Sequence, residues 1–143
     1  MGLRTDIIFV RALQSDTELL SLLPAGDIYN TSIALPDEEL DNAPLPYVIV
    51  SFDGLVNDQS TKDDYEGYTD SVTVSIEIAA KTRSQLGELA ERIRQTVRAY
   101  FRSEPDPEGL VPLDYQFSAH GVQYDSLKPC YWQVLEYQCD VNV

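Results

Sequence analysis

One stretch near the middle of the chain sets its organisation. From Ser71 to Ala80 the apolar side chains Val72, Val74, Ile76, Ile78 and Ala80 alternate with Ser71, Thr73, Ser75 and Glu77. A period of two over that length predicts a strand with one buried and one wet face. Thr82 and Gln85 follow at the spacing of a capping box, with Ser84 a second candidate cap. The period then changes, and Leu86, Leu89, Ala90, Ile93, Val97, Tyr100 and Phe101 recur at steps of three and four. That stripe predicts an amphipathic helix, and burying each large member stabilises the fold by roughly 1.5–3 kcal/mol. The helix must therefore lie across the sheet, and Pro105 and Pro107 end it.

The flanks add further elements. Thr5 or Asp6 caps a first helix with Ile7, Val10, Ala12, Leu13, Leu19, Leu20, Leu22 and Leu23 as its apolar content. Gln14 to Thr17 should break or bend it, because Ser and Asp favour turns over helix interiors, and Pro24, Ala25 and Gly26 stop it. Asp27 to Ile33 reads as a short strand with Ile28, Tyr29 and Ile33 as candidates for burial. Pro36, Asp37, Glu38, Glu39, Asp41, Pro44 and Pro46 mark an extended surface connection. Tyr47 to Phe52 is a nearly continuous apolar run that predicts a central strand ending at Asp53 and Gly54. Asn57 to Tyr68 is polar and acidic, a long hairpin loop or arm of the kind that serves partner contact. It lacks the spacing and turn glycine of a calcium loop.

Beyond the long helix, Ser103 to Pro112 is a proline- and acid-rich loop. Leu113, Tyr115, Phe117 and Ala119 then alternate as a strand, and Val122 and Tyr124 resume the pattern one residue late, after Gly121. The slip predicts a bulge or corner. Leu135, Tyr137, Cys139, Val141 and Val143 alternate as a last strand, which ties the C-terminus into the sheet. The expected fold is α+β: a mainly antiparallel sheet of about five strands, packed against the long amphipathic helix, with an N-terminal helix, in a single domain over residues 1–143.

Composition narrows the function. Ten Lys and Arg against 24 Asp and Glu give a formal net charge of −14. Such a surface repels nucleic acid and disfavours sequence-independent DNA binding, while leaving open a protein that mimics the charge of DNA. No apolar run approaches the ~20 residues of a membrane span. The first 23 residues carry Asp6, Asp16 and Glu18 and no signal-peptide pattern, so a cytoplasmic site of synthesis is expected. Cys130 and Cys139 have neither zinc nor redox spacing and read as small buried thiols. His120 is the single histidine and lies beside the Gly121 slip, the usual place of a structural residue. No nucleophile elbow, phosphate loop or dinucleotide fingerprint is present, so the expectation is no enzyme and no cofactor or metal.

The cations are less evenly spread than the acids. Lys81, Arg83, Arg92, Arg94, Arg98 and Arg102 all fall on the strand–helix unit, and Arg94, Arg98 and Arg102 share one helix face. Two readings fit. Cations near a helix C-terminus complement its dipole, and Glu88–Arg92 and Glu91–Arg94 are possible local pairs. Alternatively, a basic ridge on an acidic chain meets an acidic loop of a neighbouring subunit, as head-to-tail rings require. The candidate interface residues are Lys62, Asp63, Asp64 and Tyr65 of the arm with Arg94, Arg98 and Arg102 of the helix. Tyr124, Tyr131, Trp132 and Tyr137 crowd the last strands, with Trp132 on the face opposite Leu135 and Tyr137.

Taken in order, these pieces resemble the tail-completion, or tail-terminator, proteins of long-tailed bacteriophages and prophages. The likeness is carried by the opening helix ending at Leu23-Pro24, Asp27-Ile28-Tyr29, Leu45-Pro46-Tyr47-Val48-Ile49, the Val72–Ala80 strand and the Leu89, Ile93, Val97 ladder. The resemblance implies a non-enzymatic virion protein that caps the tail tube as a homo-oligomeric ring, typically a hexamer. Such a ring offers the head–tail joining surface, contacts tail tube and neck proteins, and lets DNA pass without specific binding. It implies localisation in the phage tail after synthesis in the host cytoplasm, with no membrane partner. The long acidic 36–44 segment departs from the simplest family pattern. A head–tail connector (neck) protein and an acidic DNA-mimic inhibitor are the alternatives.

Overall fold

A computed structural model describes residues 2–23, 27–30, 44–57, 69–103, 111–112 and 114–142. A short 3-10 turn, Gly2–Arg4, leads into helix α1 (Thr5–Ser15) and helix α2 (Thr17–Leu22). Strands β1 (Ile28–Asn30), β2 (Tyr47–Asn57) and β3 (Thr69–Ala80) precede the long helix α3 (Arg83–Ser103). Strands β4 (Asp114–Ala119), β5 (Gln123–Asp125) and β6 (Cys130–Asn142) complete the chain.

The strand order is β1-β2-β3-β6-β4, with β5 also paired to β6. The sheet is thus five positions wide, as the alternation predicts, and its sixth strand arises because the β4–β5 edge is interrupted. Ala119 faces Leu135 and Gln123 faces Trp132, four steps along one strand against three along its partner. That extra residue is the bulge expected at Gly121. One pairing differs from the expected antiparallel pattern, since β1 runs parallel to β2 through Ile28↔Val48 and Asn30↔Val50.

All the large helices lie on one face. Val72, Val74, Ile76, Ile78 and Ala80 of β3, with Leu135, Tyr137, Cys139 and Val141 of β6, form its floor. Leu86, Leu89, Ile93 and Val97 of α3 and Ile8, Phe9 and Leu13 of α1 close over it. The expected helical stripe is therefore the packed one. Thr82 is the cap that operates, its Oγ1 accepting the Gln85 N–H at 3.1 Å. Gln85 Oε1 accepts in turn from Lys81 N–H at 3.1 Å, one residue earlier than a strict capping box requires.

Three expectations need correction. Thr5 and Asp6 do not precede α1; they sit buried inside its first turn, and Arg4 holds the cap position without a side-chain cap bond. The acid still suits that place, where helix dipoles favour negative charge. Strand β2 does not end at Asp53. Phe52 faces Val74 while Gly54 faces Thr73, so Asp53 is the extra residue of a bulge and the strand continues to Asn57. Phe52 and Leu55, three apart, can both pack on the core for that reason, which an unbroken period of two would forbid. Finally, the Glu88–Arg92 and Glu91–Arg94 pairs do not form among the described residues, and Arg92 turns to α2. Ile33, most of the 36–44 connection, the arm at 58–68 and Pro105 and Pro107 lie outside the described residues.

Candidate functional site

The arginines of α3 fall on two flanks of its buried stripe. At about 100° per residue, Arg92 and Arg94 stand on either side of Ile93. They meet very different surroundings.

On the Arg92 flank the charges are matched. Arg92 Nε and Nη2 donate to Asp16 Oδ2 at 3.0 and 2.7 Å, and Nη1 lies 2.9 Å from Glu18 Oε2. Asp16 is the N-cap of α2, its Oδ1 accepting from Glu18 N–H at 3.0 Å and Leu19 N–H at 3.4 Å. The Thr96 hydroxyl faces both Asp16 Oδ2 and the Arg92 carbonyl, the latter at 2.8 Å. Burial pushes the Asp16 carboxyl up. Hydrogen bonds from Thr96, Arg92, Leu19 and Glu18 outweigh it and hold the group below its ordinary value. One carboxylate thus breaks the N-terminal helix where the sequence predicts a break and clamps α2 to α3.

On the other flank Arg94, Arg98 and Arg102 line a cleft of about 580 Å³ between α3 and the β4 edge. All three side chains are exposed. Arg94 lies over the Phe117 ring, with its guanidinium carbon 4.4 Å from the centroid. Arg98 and Arg102 make no ion pair among the described residues. Asp114 is at the rim, and its Oδ1 accepts the Tyr115 N–H at 2.8 Å. Beneath the arginines lies an aromatic cluster. Phe101, Tyr115 and Phe117 line the cleft, and Tyr137 is in ring contact with Phe9, Tyr115 and Phe117 at 5.0, 5.6 and 5.1 Å.

Tyr137 also lines the cleft, and only 1% of its surface is exposed. Its hydroxyl is buried and has no hydrogen-bond partner among the described residues. Burial pushes the phenol far above its ordinary value, with Tyr115 adding to the effect and Arg94 opposing it. The group is therefore a neutral donor. Leaving a buried donor unsatisfied costs about 1–3 kcal/mol, and this oxygen has essentially no accessible surface.

The remaining candidates are placed as follows. His120 is exposed at the β4–β5 interruption, its Nε2 3.0 Å from Glu136 Oε2 and its carbonyl accepting from Gln133 Nε2 at 2.8 Å. Cys130 and Cys139 are separate buried thiols, both pushed up by burial, Cys139 to about 12. Tyr124 is 55% exposed and stacks edge-on against Tyr131 at 5.0 Å, and Trp132 is half-buried on the face away from the helices. Glu77, Glu136 and Asp140 stand on that same open face. Lys62, Asp63, Asp64 and Tyr65 lie outside the described residues. No group of three metal-ligating side chains occurs among the described residues, and no described helix is long and apolar enough to cross a membrane.

Asp16, Thr96 and Tyr137 were invisible as site residues from sequence. Asp16 does carry a local signal, an acid at the helix break followed by Glu18 in a first turn. Its partners are 76 and 80 residues away. The sequence marks Tyr137 only as one of four aromatics in the last strands, and its place beside the arginines is set by the fold.

The chain matches no protein-family model and no curated protein. Its fold does match a chain in a solved structure described as the virion of a native gene transfer agent (GTA) particle. The match covers 95% of this chain and 92% of that chain, at 14% sequence identity and a TM-score of 0.69. At that identity the likeness is one of fold.

Proposed function

We propose that this protein is a non-enzymatic structural component of a virion, of the tail-terminator or tail-completion type. In this reading it caps a tail tube as a ring of six copies and forms the surface to which the head joins. The observation that carries it is the shared fold, end to end, with a chain of the gene transfer agent virion. The order of elements that resembles tail terminators supports it further. A ring needs two different surfaces that complement each other. The α3 ridge of Arg94, Arg98 and Arg102 is one, and the acidic arm with Lys62, Asp63, Asp64 and Tyr65 is the other. Tail tube and neck proteins are its further partners. The open sheet face bearing Glu77, Glu136 and Asp140 suits a channel wall, because like charge lets DNA slide past without sticking.

The test is the solution mass by light scattering over a concentration series at low and moderate salt. The expected result is one discrete species of six times 16.1 kDa, which weakens as salt screens the seam. A connector protein of the neck would instead assemble only on its neighbouring virion proteins. A stable monomer that captures a basic DNA-binding partner would favour the DNA-mimic reading, for which the net charge of −14 is the supporting feature.

A further inference from the structure

We infer that the cleft between the C-terminal half of α3 and the β4 edge is an oxyanion-binding site whose occupant in the assembly is the Asp63–Asp64 carboxylate pair of a second copy of this chain. The identity of the occupant rests on the ring reading above; the anion site does not.

The helix dipole does not account for this ridge. Dipole stabilisation fades within the last turn of a helix, and α3 ends at Ser103. Arg102 falls in that turn, but Arg98 and Arg94 lie one and two turns earlier. Among the described residues, Arg98 and Arg102 also have no carboxylate partner. What the cleft presents is a set of donors. Arg94 is held in place by the Phe117 ring at 4.4 Å, so less freedom remains to be lost on binding. Arg98 and Arg102 follow on the same face at one-turn intervals, each a planar fork that matches a carboxylate. Tyr137 also lines the cleft, but its hydroxyl is buried, so the donors offered to an anion are the three guanidinium groups.

The chemistry of the occupant follows from charge. A second copy of this chain brings 24 acids and only ten Lys and Arg, so a positive cleft selects a partner like itself. Asp63 and Asp64 are adjacent carboxylates in an acidic stretch that also holds Asp58 and Glu66. Two neighbouring guanidinium forks take two neighbouring carboxylates. The contact is heterologous, cleft to arm, and repeats around a ring.

Two measurements test the two halves. First, citrate is titrated by calorimetry, at constant ionic strength, into the full chain carrying Asp63→Asn and Asp64→Asn, whose cleft is then vacant. Citrate should bind, and adding Arg98→Ala and Arg102→Ala should weaken it at least tenfold. Absent binding, or binding unaffected by the arginine changes, overturns the anion site.

Second, Arg98→Glu with Arg102→Glu, and separately Asp63→Lys with Asp64→Lys, should each abolish self-association measured by light scattering. Mixed one to one, the two variants should regain the wild-type mass, because each cleft again meets an arm of opposite sign. Self-associating wild type with no rescue on mixing overturns the occupant. Wild type that never self-associates overturns the occupant and the ring reading together. The citrate titration still decides the anion site by itself.

Discussion

Two flanks of one helix carry the same residue type to opposite ends. Arg92, on one side of Ile93, is held by Asp16 and Glu18 and fixes α2 against α3. Arg98 and Arg102, on the other side, hold nothing among the described residues and line an open cleft. The difference lies in what stands opposite. The Arg92 flank faces the break between α1 and α2, where a helix N-terminus takes an acceptor side chain in any case, so one Asp satisfies the cap and the cation together. The other flank faces the β4 edge and its aromatic rings, and among the described residues its lining offers no acid beyond Asp114. An arginine becomes part of the fold or remains available to a partner according to its neighbours. Its spacing along the helix does not decide this.

The strongest way to break the comparison is to remove the shared carboxylate. Asp16→Ala deletes a cap and removes the carboxylate that Arg92 and Thr96 share, leaving Arg92 only Glu18 and Thr96 only the Arg92 carbonyl. The expected loss of unfolding free energy is about 2–4 kcal/mol, read from urea denaturation. If the loss is under about 0.5 kcal/mol, the clamp is ornamental and the two flanks are alike. Acid sharpens the same point. Asp16 is held below its ordinary value of 3.8, so the folded chain keeps the carboxylate ionised where the unfolded chain has already taken up a proton. Its contribution is complete above the ordinary value and is lost as pH falls through the lowered one. The stability gap between wild type and Asp16→Asn should therefore shrink on acidification below about pH 4. Glu77 should behave oppositely. Burial raises its pKa above 4.5, so its ionisation opposes folding. Glu77→Gln should gain relative to wild type as pH rises through and above that value.

The two flanks also differ in how far the sequence reveals them. The β3–α3 unit is legible because every cue is local: alternation, a capping residue and a stripe of period 3.6 lie within 33 consecutive residues (71–103). The Gly121 slip is legible for the same reason, since losing phase by one residue is visible in the pattern itself. The β2 bulge at Asp53 is not, because Asp-Gly after an apolar run reads equally well as a turn. Only the partner strand, with Val74 and Thr73 facing Phe52 and Gly54, decides between them. The parallel pairing of β1 depends on where a segment of three residues returns, which no local period encodes. The arginine triad could be read off its spacing, and the exposure of all three agrees with it. What makes it a cleft, the Phe117 ring and Tyr137, comes from two strands that meet it only in the fold.

A smaller effect concerns the floor of the cleft. Tyr137→Phe removes a buried hydroxyl that has no partner among the described residues, while keeping the ring against Phe9, Tyr115 and Phe117. The change should be neutral or stabilising by up to about 1 kcal/mol in thermal unfolding. Loss of more than about 1 kcal/mol would mean that the hydroxyl already has an acceptor.

The finest distinction lies within the triad, which the sequence treats as three equal members. Arg94 is the one whose guanidinium rests on an aromatic ring, and contacts of that kind at exposed sites contribute about 0.5–1 kcal/mol. Arg94→Ala should lower stability by that amount. Arg98→Ala and Arg102→Ala should each stay within about 0.5 kcal/mol of wild type, as exposed substitutions away from packed features do. Parallel urea titrations of the three single variants suffice. Equal losses at all three positions would show that the ridge is structural along its whole length, and the contrast with Arg92 would disappear. Graded losses with Arg94 alone affected would leave Arg98 and Arg102 as side chains that the fold does not use. On the proposed ring reading, those two cations are then the ones left for the carboxylates of a second copy.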